Sequence, residues 1–391
     1  MGLLSVLKKP GIVFGGFLCL ATLNIMNTAY TNVLDDIKSE LMLNYTWAGA
    51  LMSGYFVGYT IGQIPWGVIS DRYGSRRSMS ISVLGVSLFT LLFGYSSDIR
   101  LAVVFRFLSG LLGAGIFVPA VKLVSSWFTS EERGTALGLL NIGGSTGLII
   151  ASWIVPLLNS SMAWKGSMRL TGLLGVIAAA ISFIFLKDRD IVKARTINLS
   201  DLPLRKLNFW YLSVIQFIRL GSYYTFIAWM PLVLKEEYGL SVVSTSGAMS
   251  ILNFAGIISN PGGGMVADKY GERNVLMFGF FSLMLFILLF TIGLGGPALY
   301  LIVFLLGWFI NFSRSPSFSI VPRLFRPESA GSISGINNTF ASFGALVLPF
   351  LLGYIRDVTN SYVIGWYAMS GLALLATLVM YLIKDPIIQE S

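Results

Sequence analysis

Long apolar stretches, separated by brief polar breaks, run along the chain from end to end. A helix that crosses a bilayer needs about 20 mostly apolar residues. Twelve stretches meet that length: 11–34, 44–69, 77–95, 100–127, 134–158, 165–186, 209–234, 243–267, 274–294, 298–322, 329–354 and 362–383. The exception among the short connections is 187–208, KDRDIVKARTINLSDLPLRKLN, charged and carrying Pro203 at mid-chain. It reads as a cytoplasmic linker between an N-terminal six-helix bundle, 1–186, and a C-terminal one, 209–391. The stretches lack the period-two alternation of barrel strands, and a helix satisfies its own backbone hydrogen bonds in lipid. The expected class is an all-α membrane protein with twelve transmembrane helices. The opening MGLLSVLKKPG runs into the first stretch with no A-x-A-like cleavage site, so 11–34 is read as a membrane helix and not as a removed leader.

Composition agrees. The chain is 55% hydrophobic and 12% charged, against roughly 25% charged residues in ordinary soluble chains. That excludes a secreted disulfide scaffold, a cytosolic enzyme and a nucleic-acid-binding domain. The single cysteine, Cys19, allows no intrachain disulfide. Histidine is absent, which removes the commonest metal ligand, general base and pH switch together. With no buried carboxylate pair, nucleophile motif or phosphate loop, neither an enzyme nor a cofactor or metal site is expected. The net charge of +9 is an orientation signal. Of 27 Lys and Arg residues, 17 fall on the side of the termini and the even-numbered connections and six on the other side. Both termini and the linker are therefore expected to be cytoplasmic, in a multi-pass protein of the cell membrane. Contact with anionic lipid accounts for the basic linker without a nucleic-acid partner.

The chain is also written twice. GVISDRYGSRR at 67–77 returns as GMVADKYGERN at 264–274, an offset of 197. The same offset carries Met52 to Met249, Gly110 to Gly307, Pro119 to Pro316, Asn141 to Asn338 and Gly147 to Gly344. An even number of spans separates the copies, so the two six-helix bundles are parallel repeats. Their axis is expected along the membrane normal, with a substrate site between them near the midplane.

These residues carry a family resemblance. The duplicated loop matches the G-x-x-x-D-[RK]-x-G-[RK] motif of the major facilitator superfamily, and Arg106-Phe-Leu-Ser-Gly110 resembles its R-x-x-x-G helix-4 motif. The resemblance implies the major facilitator fold and transport by alternating access. It assigns Gly67, Asp71, Arg72, Gly74 and Arg76, with Asp268, Lys269, Gly271 and Arg273, to a gating latch at the cytoplasmic ends. A carboxylate at Asp71 can accept from a neighbouring helix N-terminus or pair with an arginine. The plainer alternative is a tight turn flanked by topology-setting charges. Asn274 stands where the first copy has Arg77, so an asymmetric latch is expected.

Four basic residues lie inside predicted spans: Arg106, Lys122, Arg219 and Arg314. Ionisable groups at bilayer depth are costly and are functional candidates by default. Arg219 lies ten residues into its span, about 15 Å deep at the helical rise. Arg314 corresponds to Phe117 under the repeat, 11 residues from Arg106, which is close to three turns and puts both arginines on equivalent faces. Lys122 is close to the cytoplasmic end and is expected to snorkel. No span interior holds an Asp or Glu. The arginines are thus expected to face an electropositive cavity and a small organic anion, since guanidinium forks match carboxylates. The alternative is that each binds backbone carbonyls. Asn27, Tyr30 and Tyr223 can hydrogen-bond a substrate oxygen or bridge helices.

FIRLGSYYTFIAWMPLVLKEEYGLS at 217–241, together with Pro119, Trp127-Phe128 and Glu132-Arg133-Gly134, resembles the anion:cation symporter family of organic-anion and sugar-acid carriers. In that family arginines at the positions of Arg106 and Arg219 contact substrate. The family's acidic proton-coupling residues are missing: Met26-Asn27 and Gly113 stand in their places. A co-transported proton or cation is therefore left open. The partners expected are a small anionic solute and the lipid bilayer, with the chain acting as a monomer. The alternative function is a proton-coupled multidrug or other solute exporter, disfavoured by the cationic cavity and by NIGGSTG, which lacks the exporter proline.

Overall fold

The computed structural model describes residues 9–189, 205–325 and 327–383, and regular structure among them is helical throughout. The chain divides into two compact units, Met1–Arg195 and Thr196–Ser391. Of the expected linker 187–208, residues 190–204 lie outside the described residues.

In the first unit α1 (Pro10–Thr28) passes through a 3-10 turn into α2 (Leu34–Glu40). It is followed by α3 (Tyr45–Tyr73), α4 (Ser75–Phe93), α5 (Ile99–Gly113), α6 (Phe117–Trp127) and α7 (Ser130–Phe185). The second unit holds α8 (Leu207–Glu236), α9 (Val242–Tyr270), α10 (Glu272–Thr291), α11 (Pro297–Phe312), α12 (Arg314–Ser319), α13 (Val321–Leu324), α14 (Pro327–Thr359) and α15 (Tyr362–Leu382). Short polar residues start many of them: Asn44, Asp98, Ser241 and Ser361 each accept from a backbone N–H of the first turn. Gly74 and Gly271 end α3 and α9 at φ 89° and 81°, a region that glycine alone enters freely.

Packing repeats with the sequence. Within the first unit α1 and α4 pack on α7, and α3 on α5; within the second α8 packs on α14, α10 on α15 and α9 on α11. Small residues permit the closest approaches. Gly54, Gly58 and Gly62 form a stripe on α3 that lies against Val103, Phe107 and Leu111 of α5. Gly110 and its repeat Gly307 press on the carbonyls of Tyr55 and Leu252, which are themselves 197 apart. Large apolar side chains such as Ile64, Leu157, Leu301 and Tyr381 point outward while Ser, Thr and Asn are buried, which suits a lipid surround. Several buried hydroxyls are satisfied locally, as where Thr28 donates to Asn24 O at 2.7 Å and Thr225 to Gly221 O at 2.8 Å.

Two expectations about spans change. Within spans 100–127 and 298–322 the α-helix is interrupted, after Gly113 and after Phe312, and resumes at the repeat-equivalent residues Phe117 and Arg314. Proline is the cause. Pro119 and Pro316 lack the N–H that would bond four residues back, and their rings crowd that carbonyl. The 11-residue spacing of Arg106 and Phe117 therefore crosses a break and does not fix a common face. Spans 134–158 and 165–186 remain two helices within the segment labelled α7, which is broken at Ala163, where the backbone is not helical (φ 55°, ψ 172°). Among the described residues ten helices are long and apolar enough to cross a membrane.

Candidate functional site

Arg106 projects from α5 and is 3% exposed. Its Nε donates to Leu51 O of α3 at 3.0 Å, one terminal nitrogen to Asn27 Oδ1 at 2.9 Å and the other to Met26 O at 3.4 Å. The rings of Tyr30 and Tyr55 lie 4.4 and 4.8 Å from its Cζ. Asn27 and Tyr30, each able to meet a substrate oxygen or to bridge helices, both contact Arg106. A cavity beside the guanidinium is lined by Tyr30, Phe89, Phe105 and Ser109.

Arg219, on α8, is held differently. It is 5% exposed, and its Nε donates to Gln216 Oε1 at 2.8 Å. Its Cζ lies 5.4 Å from the Phe318 ring. Among the described residues its two terminal nitrogens have no hydrogen-bond partner. Arg314, the first residue of α12, is close enough for the two like charges to act on one another. Tyr223 packs edge-on against Tyr224 with centroids 5.0 Å apart. One arginine is therefore closed by its own unit, whereas the other two, among the described residues, have no acidic partner and act on one another electrostatically. That difference is invisible in the sequence, where all three are arginines in apolar runs. The repeat gives the reason: the positions of Gln216, Arg219, Arg314 and Phe318 are Cys19, Thr22, Phe117 and Val121 in the first unit.

The loop motifs serve their own units. Asp71 Oδ1 accepts from Lys122 at 2.6 Å, and the same ammonium donates to Ser70 Oγ at 3.0 Å and Gly67 O at 3.2 Å. This corrects two expectations. Lys122 does not reach for lipid headgroups, and the partner of Asp71 is neither an arginine nor a helix N-terminus. Asp268 is exposed and, among the described residues, unpaired, because Lys122 maps to Ser319. The second unit instead pairs Glu272, 4% exposed, with Arg323 at 2.9 Å. Both partners are displaced by four residues in sequence from the positions matching Asp71 and Lys122. Arg76 Nε donates to Phe183 O at 2.9 Å, and its repeat Arg273 to Met380 O at 3.3 Å, so donor and acceptor both recur at 197. Each arginine thereby caps the carbonyl end of its unit's last helix. Arg76 N also donates to Asp188 Oδ1 at 2.9 Å. Arg72 and Lys269 lie over the neighbouring rings of Tyr73 and Tyr270.

A duplicated bundle of long apolar helices, polar within and apolar without, defines a multi-pass helical membrane protein. The profile of the Major Facilitator Superfamily matches residues 12–349 and, over the second half, 212–389. The chain belongs to that superfamily. It is similar to the hexuronate transporter of Bacillus subtilis (strain 168), 27% identical with 90% of this chain and 89% of that one covered. It is also similar to a probable galactarate/D-glucarate transporter of the same organism, at 25% identity over 95% and 90%. A crystal structure of the nucleoside transporter NupG shares the fold, with a TM-score of 0.77 and 15% identity over 95% of this chain and 98% of that one.

Proposed function

We propose that the protein is a secondary active transporter of a small organic anion, a carboxylate of the sugar-acid class, working by alternating access in the cell membrane. The observation that carries this reading is the adjacent pair Arg219 and Arg314. Arg219 is buried, its Nε is anchored, and its terminal nitrogens are unpaired among the described residues. A buried guanidinium without an acid is stabilised by a bound anion, and a carboxylate matches its fork. The hexuronate and galactarate/D-glucarate named for the relatives are carboxylates, which agrees in sign of charge. Arg106, Asn27, Tyr30 and Tyr223 complete the proposed substrate-binding set.

Twelve crossings are proposed, with 1–186 and 209–391 as the two bundles, 187–208 as the linker and both termini cytoplasmic. Two features support twelve: α3 has 29 residues, ample for a crossing, and the α7 segment holds two helices that meet at the non-helical Ala163. The Lys and Arg bias supports the orientation. A gating role is proposed for the Gly67–Arg76 and Gly264–Arg273 loops, each of which binds the cytoplasmic end of its own unit.

Uptake into proteoliposomes tests the function. D-glucuronate or galactarate is expected to accumulate, and Arg219→Ala to abolish it while the protein still inserts. Thermal stabilisation by organic cations and by no anion would refute the reading, since only a ligand of the folded state raises stability.

A further inference from the structure

Gln216 is 1% exposed, one turn before Arg219 on α8. Its amide is committed at both ends. Oε1 accepts from Arg219 Nε at 2.8 Å, and Nε2 donates to Ser317 O at 3.2 Å. Only one orientation of the amide does this, because the flipped group would set its NH2 against a guanidinium that has only donors. The acceptor carbonyl belongs to α12, the six-residue helix that follows the break after Phe312. The same short helix supplies the Phe318 ring beneath Arg219 and the charge of Arg314. α12 thus acts on Arg219 directly through Phe318 and Arg314 and, through the hydrogen bonds of Gln216, indirectly from Ser317 O.

A guanidinium can grip a carboxylate side-on, through Nε and one terminal nitrogen, or end-on, through both terminal nitrogens. With Nε taken by Gln216, the end-on edge is what remains. We propose that Gln216 is a positioning residue that selects end-on binding of the substrate carboxylate at Arg219 and ties that arginine to α12. This rests on the reading of Arg219 as an anion-binding residue. A substrate held end-on extends away from the α8 backbone along the arginine's own axis.

The test is a double-mutant cycle on the purified full-length protein, with binding of D-glucuronate, galactarate and D-galactonate measured by calorimetry. Gln216→Met keeps side-chain length but removes both polar ends. It is expected to weaken binding about tenfold or more, as for loss of a hydrogen bond to a charged group. Arg219→Lys keeps the charge but has no Nε to hold. In that background Gln216→Met is expected to change affinity by less than about twofold, because coupled residues are non-additive. A purely structural role through Ser317 O would persist in both backgrounds, and that result overturns the inference. So does an unchanged affinity in Gln216→Met alone while Arg219→Ala loses binding, an outcome that leaves the anion reading standing. Arg219→Ala binding like the parent, or a parent that binds none of the three carboxylates, overturns both. Gln216→Ala removes the same two bonds and serves with the same expected pattern where the methionine variant does not fold.

Discussion

The seam between α3 and α5 makes a sharp prediction, because it sets two chemically identical substitutions against each other. A methyl group added at Gly62 would lie 2.5 Å from Leu111 O and 2.9 Å from Ala114 Cβ. That is roughly 1 Å inside ordinary contact with both. Leu111 O sits in the last turn of α5, ahead of the break, and takes its hydrogen bond from Trp66 Nε1 at 2.8 Å. The obstacle is backbone already fixed by that bond, so no rotamer change relieves the clash. Overpacking of this kind costs about 1–3 kcal/mol, offset by the ~1 kcal/mol that alanine contributes over glycine in a helix. Gly62→Ala is therefore expected to destabilise by about 1–2 kcal/mol, taking the upper part of the range. Gly138, within α7, has nothing within 4 Å of the place a methyl group would take. Gly138→Ala should gain about 1 kcal/mol. For a unit of this size each kcal/mol moves Tm by roughly 2–4 °C. Differential scanning fluorimetry in one detergent should show Gly62→Ala below the parent and Gly138→Ala above it. If both rise, or Gly62→Ala alone is neutral, the close-packed seam does not limit stability and the reasoning is wrong.

Arg323→Met leaves the Glu272 carboxylate buried without its partner and should cost about 1–3 kcal/mol, less than for a fully buried pair because Arg323 is half exposed; adding Glu272→Gln should recover most of the Tm. The Asp98 carboxyl is held below the usual carboxylate range, chiefly by the backbone N–H of Leu101 and also by that of Arg100. Its folded-state pKa is depressed, so its stabilising effect is present above the ordinary aspartate value and is lost as pH falls through the lower one. Asp98→Asn should accordingly flatten the acid limb of a plot of Tm against pH, and an unchanged limb counts against the cap. Asp71→Asn and Lys122→Met should each reduce proteoliposome uptake without preventing insertion, and the double variant should fall no further, since the two act as a pair. Additive losses would show that they act apart.

The apolar runs, the offset of 197 and the motif loops make the helices and the family legible from residues alone. Apolar run length is a local signal, and so is the return of charge at each span end. The breaks in spans 100–127 and 298–322 are not legible in the same way, although Pro119 and Pro316 stand in plain view. Proline inside an apolar run can kink, break or be absorbed, and packing decides among these. The partner of Lys122 lies 51 residues away in sequence, with no periodicity to connect them. Gln216 escapes a sequence reading for a related reason: a glutamine one turn from an arginine is ordinary until its second end is seen to reach Ser317. The arginines themselves stand out because charge in lipid is costly wherever it lies. Which of them a fold leaves unsatisfied depends on carbonyls such as Leu51 O and Met26 O, whose positions no residue name records.

The bond from Arg76 to Phe183 O and its repeat from Arg273 to Met380 O bear on how the chain is made. Each joins an early helix of a unit to the end of its last one. The first ring closes as soon as residue 183 has left the ribosome and the membrane-insertion machinery, before any of the second unit's helices exist. Domains mature in the order of their synthesis, and here the first is fastened by a contact of its own. A gene cut within the 190–204 stretch and expressed as two messages should therefore yield two fragments that each reach the bilayer with their own helices already bundled.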